Sequence, residues 1–112
     1  MEKSSLTALA RQLLSKARSS SSGRSAQTVF GGHEKALRQT LIAIASGRLL
    51  DDHENPGEAT VHVLTGRVRL STGEASWEGS PGDLLIVPAA RHSVEALEDS
   101  AILLTVAKLA PR

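Results

Sequence analysis

The period of the hydrophobic pattern changes once, near residue 37, and this change divides the chain into two parts. Leucines at helical spacing predict an amphipathic helix over residues 5–17: Leu6, Leu9, Leu13 and Leu14, with Ala10 between them. Ser4 or Ser5 can accept a first-turn N–H and cap this helix. A helix of this length is marginal alone in water, so its apolar stripe needs a surface to cover. We expect it to lie against the rest of the chain; a partner protein or a membrane surface is the alternative.

From residue 37 onward the pattern follows a period of two or forms continuous apolar runs, both typical of strands. Turn-forming clusters such as Ser80-Pro81-Gly82 separate the runs. The pattern predicts eight strands, over residues 37–45, 48–53, 58–65, 67–72, 75–79, 84–88, 91–96 and 100–108. Short strands at regular spacing with such turns predict an all-β fold, an antiparallel sandwich or barrel.

Three segments follow from this pattern. Residues 1–18 contain the helix, and residues 19–29 are rich in serine and read as a flexible linker, because their composition cannot bury a core. Residues 30–112 form the β-domain, preceded by a turn at Phe30-Gly31-Gly32-His33. The chain of 112 residues is long enough for one domain with a modest core.

Composition excludes several classes of function. The absence of cysteine excludes disulfides and thiolate metal sites. No apolar run approaches the roughly 20 residues that span a bilayer, and the N-terminus lacks a secretory h-region, so we expect a soluble cytoplasmic protein. No G-x-S-x-G sequence or phosphate-binding glycine loop supports hydrolysis or nucleotide binding.

The net charge of +1 conceals an asymmetry between the two parts of the chain. Residues 1–48 contain eight basic and two acidic residues, whereas residues 49–112 contain five basic and ten acidic residues. Such a split is compatible with a nucleic-acid arm, or with a basic segment that docks on the acidic part of the same or a neighbouring subunit. The basic residues are scattered and aromatic residues make up only 2% of the chain, which disfavours nucleic-acid binding.

Four fragments in one order carry a resemblance to a known family. Gly47 and His53 are followed by Gly66 at the end of Val63-Leu64-Thr65-Gly66, and then by Gly82-Asp83 running to Pro88 and His92. This order resembles the two motifs of the cupins, G-x5-H-x-H-x3/4-E-x6-G and G-x5-P-x-G-x2-H-x3-N, over residues 37–108. In the first motif Asn55 stands at the second His and Ala59 at the Glu. In the second motif Ala90 replaces Gly, His92 comes one residue early and Ala96 stands at the Asn.

The resemblance implies a cupin-type antiparallel β-barrel, a jelly-roll sandwich of about eight strands with one N-terminal α-helix. Open sandwich edges favour pairing with another chain, and similar cupins are commonly dimers, so we expect a homodimer. The helix would then be able to cross to the partner subunit.

Cupin metal centres use several imidazoles and one carboxylate that converge inside the barrel on a divalent ion. In this chain the resemblance leaves His53 and His92 as metal ligands, with Asn55 as a weak amide ligand and no carboxylate at Ala59. Glu58 is adjacent to that position, and a period of two points it outward unless a bulge at Pro56-Gly57 reverses it. The ion would be Fe, Mn, Ni or Zn; the alternative is a cavity with two neutral, hydrogen-bonded histidines.

Small apolar residues at the lost ligand positions favour a pocket for an apolar or weakly polar small molecule. Arg38 is open to two interpretations: on the inner face of its strand it would need a partner and could orient an anionic ligand, whereas on the outer face it would be solvated. His62 is expected to point outward, His33 to be solvated, and Asp83 to serve its turn. The candidate pocket residues are therefore His53, Asn55, Ala59, Val61, His92 and Arg38.

Three functional hypotheses follow from the sequence. The first is a non-catalytic cupin that binds or senses a small molecule in a pocket near His53 and His92. The second is a metal-dependent enzyme of isomerase or dioxygenase type that uses these two histidines as ligands. The third is a nucleic-acid accessory protein that uses the basic N-terminal segment. The fold alone does not decide between them, because one barrel supports many unrelated activities.

Overall fold

A computed structural model describes residues 2–53 and 57–108, and of Asp52 and His53 it describes the backbone only. Within these residues the chain forms one helix and nine strands, which pair as two antiparallel sheets. The elements are α1 (Leu6–Ser19), β1 (Arg24–Phe30), β2 (Leu37–Ile44), β3 (Leu49–His53), β4 (Gly57–Thr65), β5 (Val68–Ser71), β6 (Ser76–Gly79), β7 (Leu84–Val87), β8 (His92–Ala96) and β9 (Ser100–Lys108).

The two sheets face each other as a sandwich. The larger sheet has the strand order β1-β2-β9-β4-β7, and the smaller sheet has the order β3-β8-β5-β6. Side chains from both sheets fill the space between them in a single apolar cluster. Its most deeply buried members are Ile44, Val61, Val63, Val68, Leu70, Ala96 and Ile102. On β4 the buried residues alternate with less buried ones, as expected for a strand with one face on the core.

The helix α1 covers the outer face of the larger sheet. Ala10, Leu13 and Ala17 are buried on one side of it, and they pack with Leu41, Ala43 and Ala101 of the two strands below. The Ser5 side chain accepts a hydrogen bond from the Ala8 N–H at 3.2 Å, which caps the start of the helix. The helix predicted over residues 5–17 is confirmed, and its apolar stripe is covered by the chain's own sheet.

The strand prediction is confirmed for eight strands, each within one residue of the observed bounds. Strand β9 is buried on both faces at Ala101 and Ile102, which explains its nearly continuous apolar sequence. No described helix is long and apolar enough to cross a membrane.

The prediction of a flexible linker over residues 19–29 is wrong for most of that segment. Residues 24–30 form strand β1, which pairs antiparallel with β2 from Arg24–Ile44 to Thr28–Thr40. The β-structure therefore begins before residue 30, and only residues 20–23 connect it to the helix. Strand β1 escaped prediction because it is an edge strand whose middle residues are exposed, so it carries no apolar alternation.

Gly66, one of the motif glycines, sits where no other residue fits well. Its φ is +82°, and a Cβ added there would lie 2.3 Å from the Asp99 carbonyl oxygen and 2.7 Å from the Ser100 Cα. Gly73, in the turn between β5 and β6, has open space around it and no positive φ. The two glycines of neighbouring turns therefore differ in how strongly the fold requires them.

We predict that Gly66→Ala lowers the free energy of unfolding by at least about 2 kcal/mol, because the left-handed backbone and the backbone contact both oppose a methyl group. Gly73→Ala, the matched control, is expected to change it by less than about 0.5 kcal/mol. Urea denaturation of both variants measures the difference. Equal stabilities for the two variants would contradict this account of the motif.

Asp99 ties the end of α1 to the sandwich. Its carboxylate accepts the Ser46 N–H at 2.8 Å and the Arg18 Nε–H at 2.7 Å. The Ser46 amide first, and the Arg18 guanidinium second, hold the pKa of this carboxyl below its ordinary value. Both partners bind the charged form, so protonation of Asp99 weakens the link between helix and sheet.

The sign of the pH effect follows from the lowered pKa of Asp99. A depressed folded-state pKa means that the unfolded chain binds more protons, so the stabilisation is present above the unfolded value of about 3.9 and is lost as pH falls through the folded value. We expect the stability advantage of the natural protein over Asp99→Asn to be constant above about pH 5.5 and to shrink below about pH 4. Parallel denaturation curves across this range test it, and an advantage that grows as pH falls would contradict it.

Candidate ligand site at the mouth of the sandwich

Strands of both sheets end together at one end of the sandwich, which we call the mouth. The chain passes from β3 to β4 through three residues and from β7 to β8 through four, so the strand ends that these links join must lie close together. In the larger sheet the mouth is the end where β2 and β4 begin and where β7 and β9 end. In the smaller sheet it is the end where β3 stops and β8 starts.

Four residues form a row across the larger sheet at the mouth, one from each of four adjacent strands. Arg38 pairs with Val106, Val106 pairs with Ala59, and Ala59 pairs with Val87. Directly opposite residues on antiparallel strands point to the same face. Val106, Ala59 and Val87 belong to the buried cluster between the sheets, so the whole row faces inward. We call these four residues the mouth row.

The mouth row resolves the two interpretations of Arg38. On β2 the even-numbered residues Ile42 and Ile44 lie in the core between the sheets, whereas Leu41 and Ala43 pack against α1. The pairing of β2 with β9 has no register shift, so Arg38 keeps the even, inward phase. Its side chain is half-buried. The arginine therefore lies on the inner face, beside the buried Val106.

Ala59 and Val61 both point into the core between the two sheets. Ala59 is 8% exposed in the mouth row, at the position of the motif's carboxylate, and Val61 is 2% exposed one row deeper. Glu58, the neighbouring carboxylate, is exposed and pairs with Ala107 on the opposite face. Glu58 thus points outward, as the period of two predicted, and does not replace the lost ligand.

His92 starts β8 and is buried, with 8% of its surface exposed. Its Nδ1 lies 3.1 Å from the carbonyl oxygen of Ala90. A carbonyl oxygen only accepts hydrogen bonds, so Nδ1 is the donor in this contact. The loop between Pro88 and His92 is one residue shorter than in the cupin motif, yet His92 lies at the mouth.

His53 is the partner of His92 in the backbone. It ends β3, and its Cα pairs with that of His92 after a register shift that begins beyond Leu50. The two motif histidines thus occupy adjacent strand positions in the smaller sheet. The side chain of His53 and the whole of Asn55 lie outside the described residues, so their place in the pocket stays a prediction.

The described donor set does not fit the metal centre that the cupin resemblance implies. The carboxylate position holds the methyl group of Ala59, and the asparagine position holds Ala96, which is fully buried. Among the side chains that the structure describes, no three His, Asp or Glu residues lie close enough to hold an ion. Structural and catalytic ions in proteins generally have at least three protein ligands. We therefore derive no chemistry through a metal.

Two features of the mouth were missed by sequence reasoning. Val106 and Val87 line it beside Ala59, but their pairing joins strands that are distant in the chain. Lys108, at the end of β9, donates from Nζ to the Gly32 carbonyl oxygen at 3.2 Å and so holds the loop before β2. The nearly continuous apolar sequence of β9 did not indicate which face Val106 occupies, and no sequence signal pointed to the lysine contact.

The other side chains of interest lie outside the mouth row. His62 is half-buried on the outer face of β4, opposite Leu103, and His33 is exposed. Asp83 accepts the Ser80 N–H at 2.8 Å, which confirms its role in the turn. Trp77 is 45% exposed on the edge strand β6.

Comparison with known proteins gives the fold a name. No protein-family model and no curated protein matches the chain. Among solved structures, a conserved protein of unknown function from Streptococcus pyogenes is similar at 22% identity and a TM-score of 0.72, covering 82% of this chain and 80% of its own. A cupin superfamily protein from Desulfitobacterium hafniense is similar at 18% identity and a TM-score of 0.66, covering 75% and 78%. KdgF from Halomonas is similar at 20% identity and a TM-score of 0.65, covering 78% and 82%.

These similarities, together with the two-sheet topology, define the class of the protein. It is a small cupin-fold protein, a β-sandwich with an N-terminal helix, as the motifs predicted. Identities of this size establish the fold but not the function, which has to be argued from the residues at the mouth.

Proposed function

We propose that the protein is a non-catalytic binding or sensing module that holds a small molecule in the mouth of the sandwich. The observation that carries the proposal is the mouth row. Ala59 stands at the position of the cupin carboxylate ligand. Val87 and Val106, also apolar, lie directly beside it on the two neighbouring strands. Apolar side chains with a few polar groups beside them, here His92 and Arg38, are the usual lining of a small-molecule site.

The chemistry of the polar groups favours binding over catalysis. His92 is buried with its Nδ1 already engaged by the Ala90 carbonyl oxygen. The mouth row holds no carboxylate, because the position of the motif's Glu is occupied by Ala59. His92 adds a polar group to this end of the sandwich, and the apolar residues of the row supply the contact area.

We predict that hexanamide, a neutral probe with an apolar chain, binds at the mouth with a dissociation constant on the order of a millimolar. Backbone amide shifts in ¹⁵N-labelled protein are expected at Arg38, Ala59, Val87 and His92. Ala59→Leu fills the mouth row and is expected to weaken binding at least tenfold, or about 1.4 kcal/mol. Glu58→Leu adds a similar side chain to the other face of the same strand and is expected to leave binding within about twofold.

The competing metal-dependent enzyme is supported by the adjacent backbones of His53 and His92. Metal analysis of protein purified without chelator distinguishes it from the proposal. Near-stoichiometric Fe, Mn, Ni or Zn, lost in both His53→Ala and His92→Ala, would replace the binding proposal with the enzyme. Amide shifts from hexanamide that fall outside the mouth, or no shifts at all, would also overturn the proposal.

The homodimer expected from the sequence stays a proposal, and edge strand β7 supports it. Leu84 and Ile86 are 58% and 68% exposed on the outer face of this strand, beyond the strands that α1 covers. An edge strand of this kind can pair antiparallel with its own copy about a two-fold axis. The partner we propose for this face is a second copy of the chain.

We predict that Ile86→Lys converts the protein to a monomer, because the lysine places a charge at the centre of that interface. Light scattering during gel filtration measures the mass directly. Thr28→Lys, on the opposite edge strand β1, is the control and is expected to keep the dimer. A natural protein that is already monomeric at high micromolar concentration would refute the dimer.

A further inference from the structure

The guanidinium of Arg38 is the feature of the mouth that the function proposed so far leaves unexplained. Its side chain is half-buried on the inner face, next to Val106 of the core cluster. Among the residues that the structure describes, none forms a hydrogen bond or an ion pair with it. A half-buried cation without a partner is costly unless an anion meets it.

Other half-buried arginines in this chain are partnered. Arg24 donates to the Leu49 carbonyl oxygen at 3.2 Å, which also joins the edge of the larger sheet to the edge of the smaller. Arg69 bridges the carboxylates of Glu78 and Glu95, each at 3.3 Å. Among the described half-buried arginines, Arg38 is thus the one without a described hydrogen-bond or ion-pair partner, and it lies at the mouth.

The backbone around Arg38 is held firmly, so its place is defined. On one side β2 pairs with β9, and Arg38 stands directly opposite Val106. On the other side Gly31 packs on the strand so closely that a Cβ there would lie 2.1 Å from the Leu37 carbonyl oxygen and 2.9 Å from the Arg38 Cα. Lys108 lies two residues after Val106 on β9, and its Nζ donates to the Gly32 carbonyl oxygen in the loop before β2. The backbone position from which the guanidinium reaches an anion is therefore fixed, and a planar guanidinium matches oxyanions well.

The charges and apolar side chains around Arg38 indicate which kind of anion would bind there. Lys108 adds a second positive charge at the same end of the sheet, and the neighbouring carboxylate of Glu58 points to the opposite face. The rest of the mouth row is apolar. One planar guanidinium matches the two oxygens of one carboxylate, and reduced access to water strengthens that pair.

We propose that the ligand of this cupin is a small monocarboxylate, whose charged group binds Arg38 and whose apolar body lies over Val106, Ala59 and Val87. This inference rests on the binding function proposed above and assigns its ligand class. His92 lies at the same end of the sandwich, where it begins β8 of the smaller sheet.

Hexanoate and hexanamide test this assignment as a matched pair, since they differ in the charge of one end group at neutral pH. The natural protein is expected to bind hexanoate at least tenfold more tightly than hexanamide by calorimetry or amide-shift titration. Arg38→Gln is expected to abolish the preference while hexanamide binding stays within about twofold. Arg38→Lys keeps the charge without the planar fork and is expected to retain only part of the preference. Arg11→Gln, which removes an exposed arginine on α1, is the control and should change neither affinity.

The failures of the two proposals are distinguishable. If hexanamide does not bind at the mouth, the binding function itself is refuted. If both bind at the mouth with equal affinity, the binding function stands and the carboxylate assignment is refuted. A preference that survives in Arg38→Gln also refutes the assignment to this residue. Should Arg38→Gln fold poorly, the hexanoate preference of the natural protein and of Arg38→Lys still decides the outcome.

A stability measurement separates a ligand-binding role from a structural one. An arginine partnered inside the protein costs stability when it is removed, whereas an unpartnered one does not. We expect the denaturation midpoint of Arg38→Met to equal or exceed that of the natural protein in the absence of ligand. A clear loss of stability in this variant would show that the guanidinium already serves the fold and would overturn the inference.

Discussion

The pairing of β9 with both β2 and β4 is the interaction on which the rest of the structure depends. This central strand is bonded along its length on two sides, and it is buried on both faces at Ala101 and Ile102. Its inner face completes the core, and its outer face receives α1. The same two ladders set Arg38 and Ala59 in one row on either side of Val106. The alignment of the mouth row is therefore a consequence of sheet register.

This separation of framework from chemistry explains how the chain keeps cupin motifs while lacking much of a cupin metal centre. The motif glycines serve the backbone: Gly47, Gly66 and Gly82 all adopt positive φ, and Gly66 also lies against the backbone of Asp99 and Ser100. The motif's Glu and Asn positions hold Ala59 and Ala96, which pack in the core. The fold depends on the motif's glycines, whereas the metal chemistry depends on its ligand positions. The metal ligands can therefore be lost while the fold is kept.

The sequence predicted the parts of the structure that depend on local pattern. Eight strands and the helix follow from alternation, turn residues and leucine spacing. Strand β1 does not, because it is a polar edge strand whose formation depends on pairing with β2. The inward direction of Arg38 was not decidable either, since Leu37-Arg38-Gln39-Thr40 places polar residues on both faces of the strand. Only the register against Val106, which joins residues far apart in the chain, settles it. The mouth row and His92 come from five strands, and no local sequence pattern predicts that they lie at the same end of the sandwich.

The mouth places a positive charge beside apolar side chains. This arrangement costs stability in a fold but is useful in a binding site. Elsewhere on the smaller sheet, charges neutralise one another: Arg67 and Arg69 hold Glu78, and these two arginines keep the pKa of its carboxyl below the ordinary value. At the mouth a guanidinium stands beside apolar side chains with no such neighbour among the described residues. A local departure from charge pairing in a chain that otherwise pairs its half-buried arginines is where function is expected. The paired core strands stabilise the fold, and a bound anion would neutralise the charge that the described residues leave unpaired at this position.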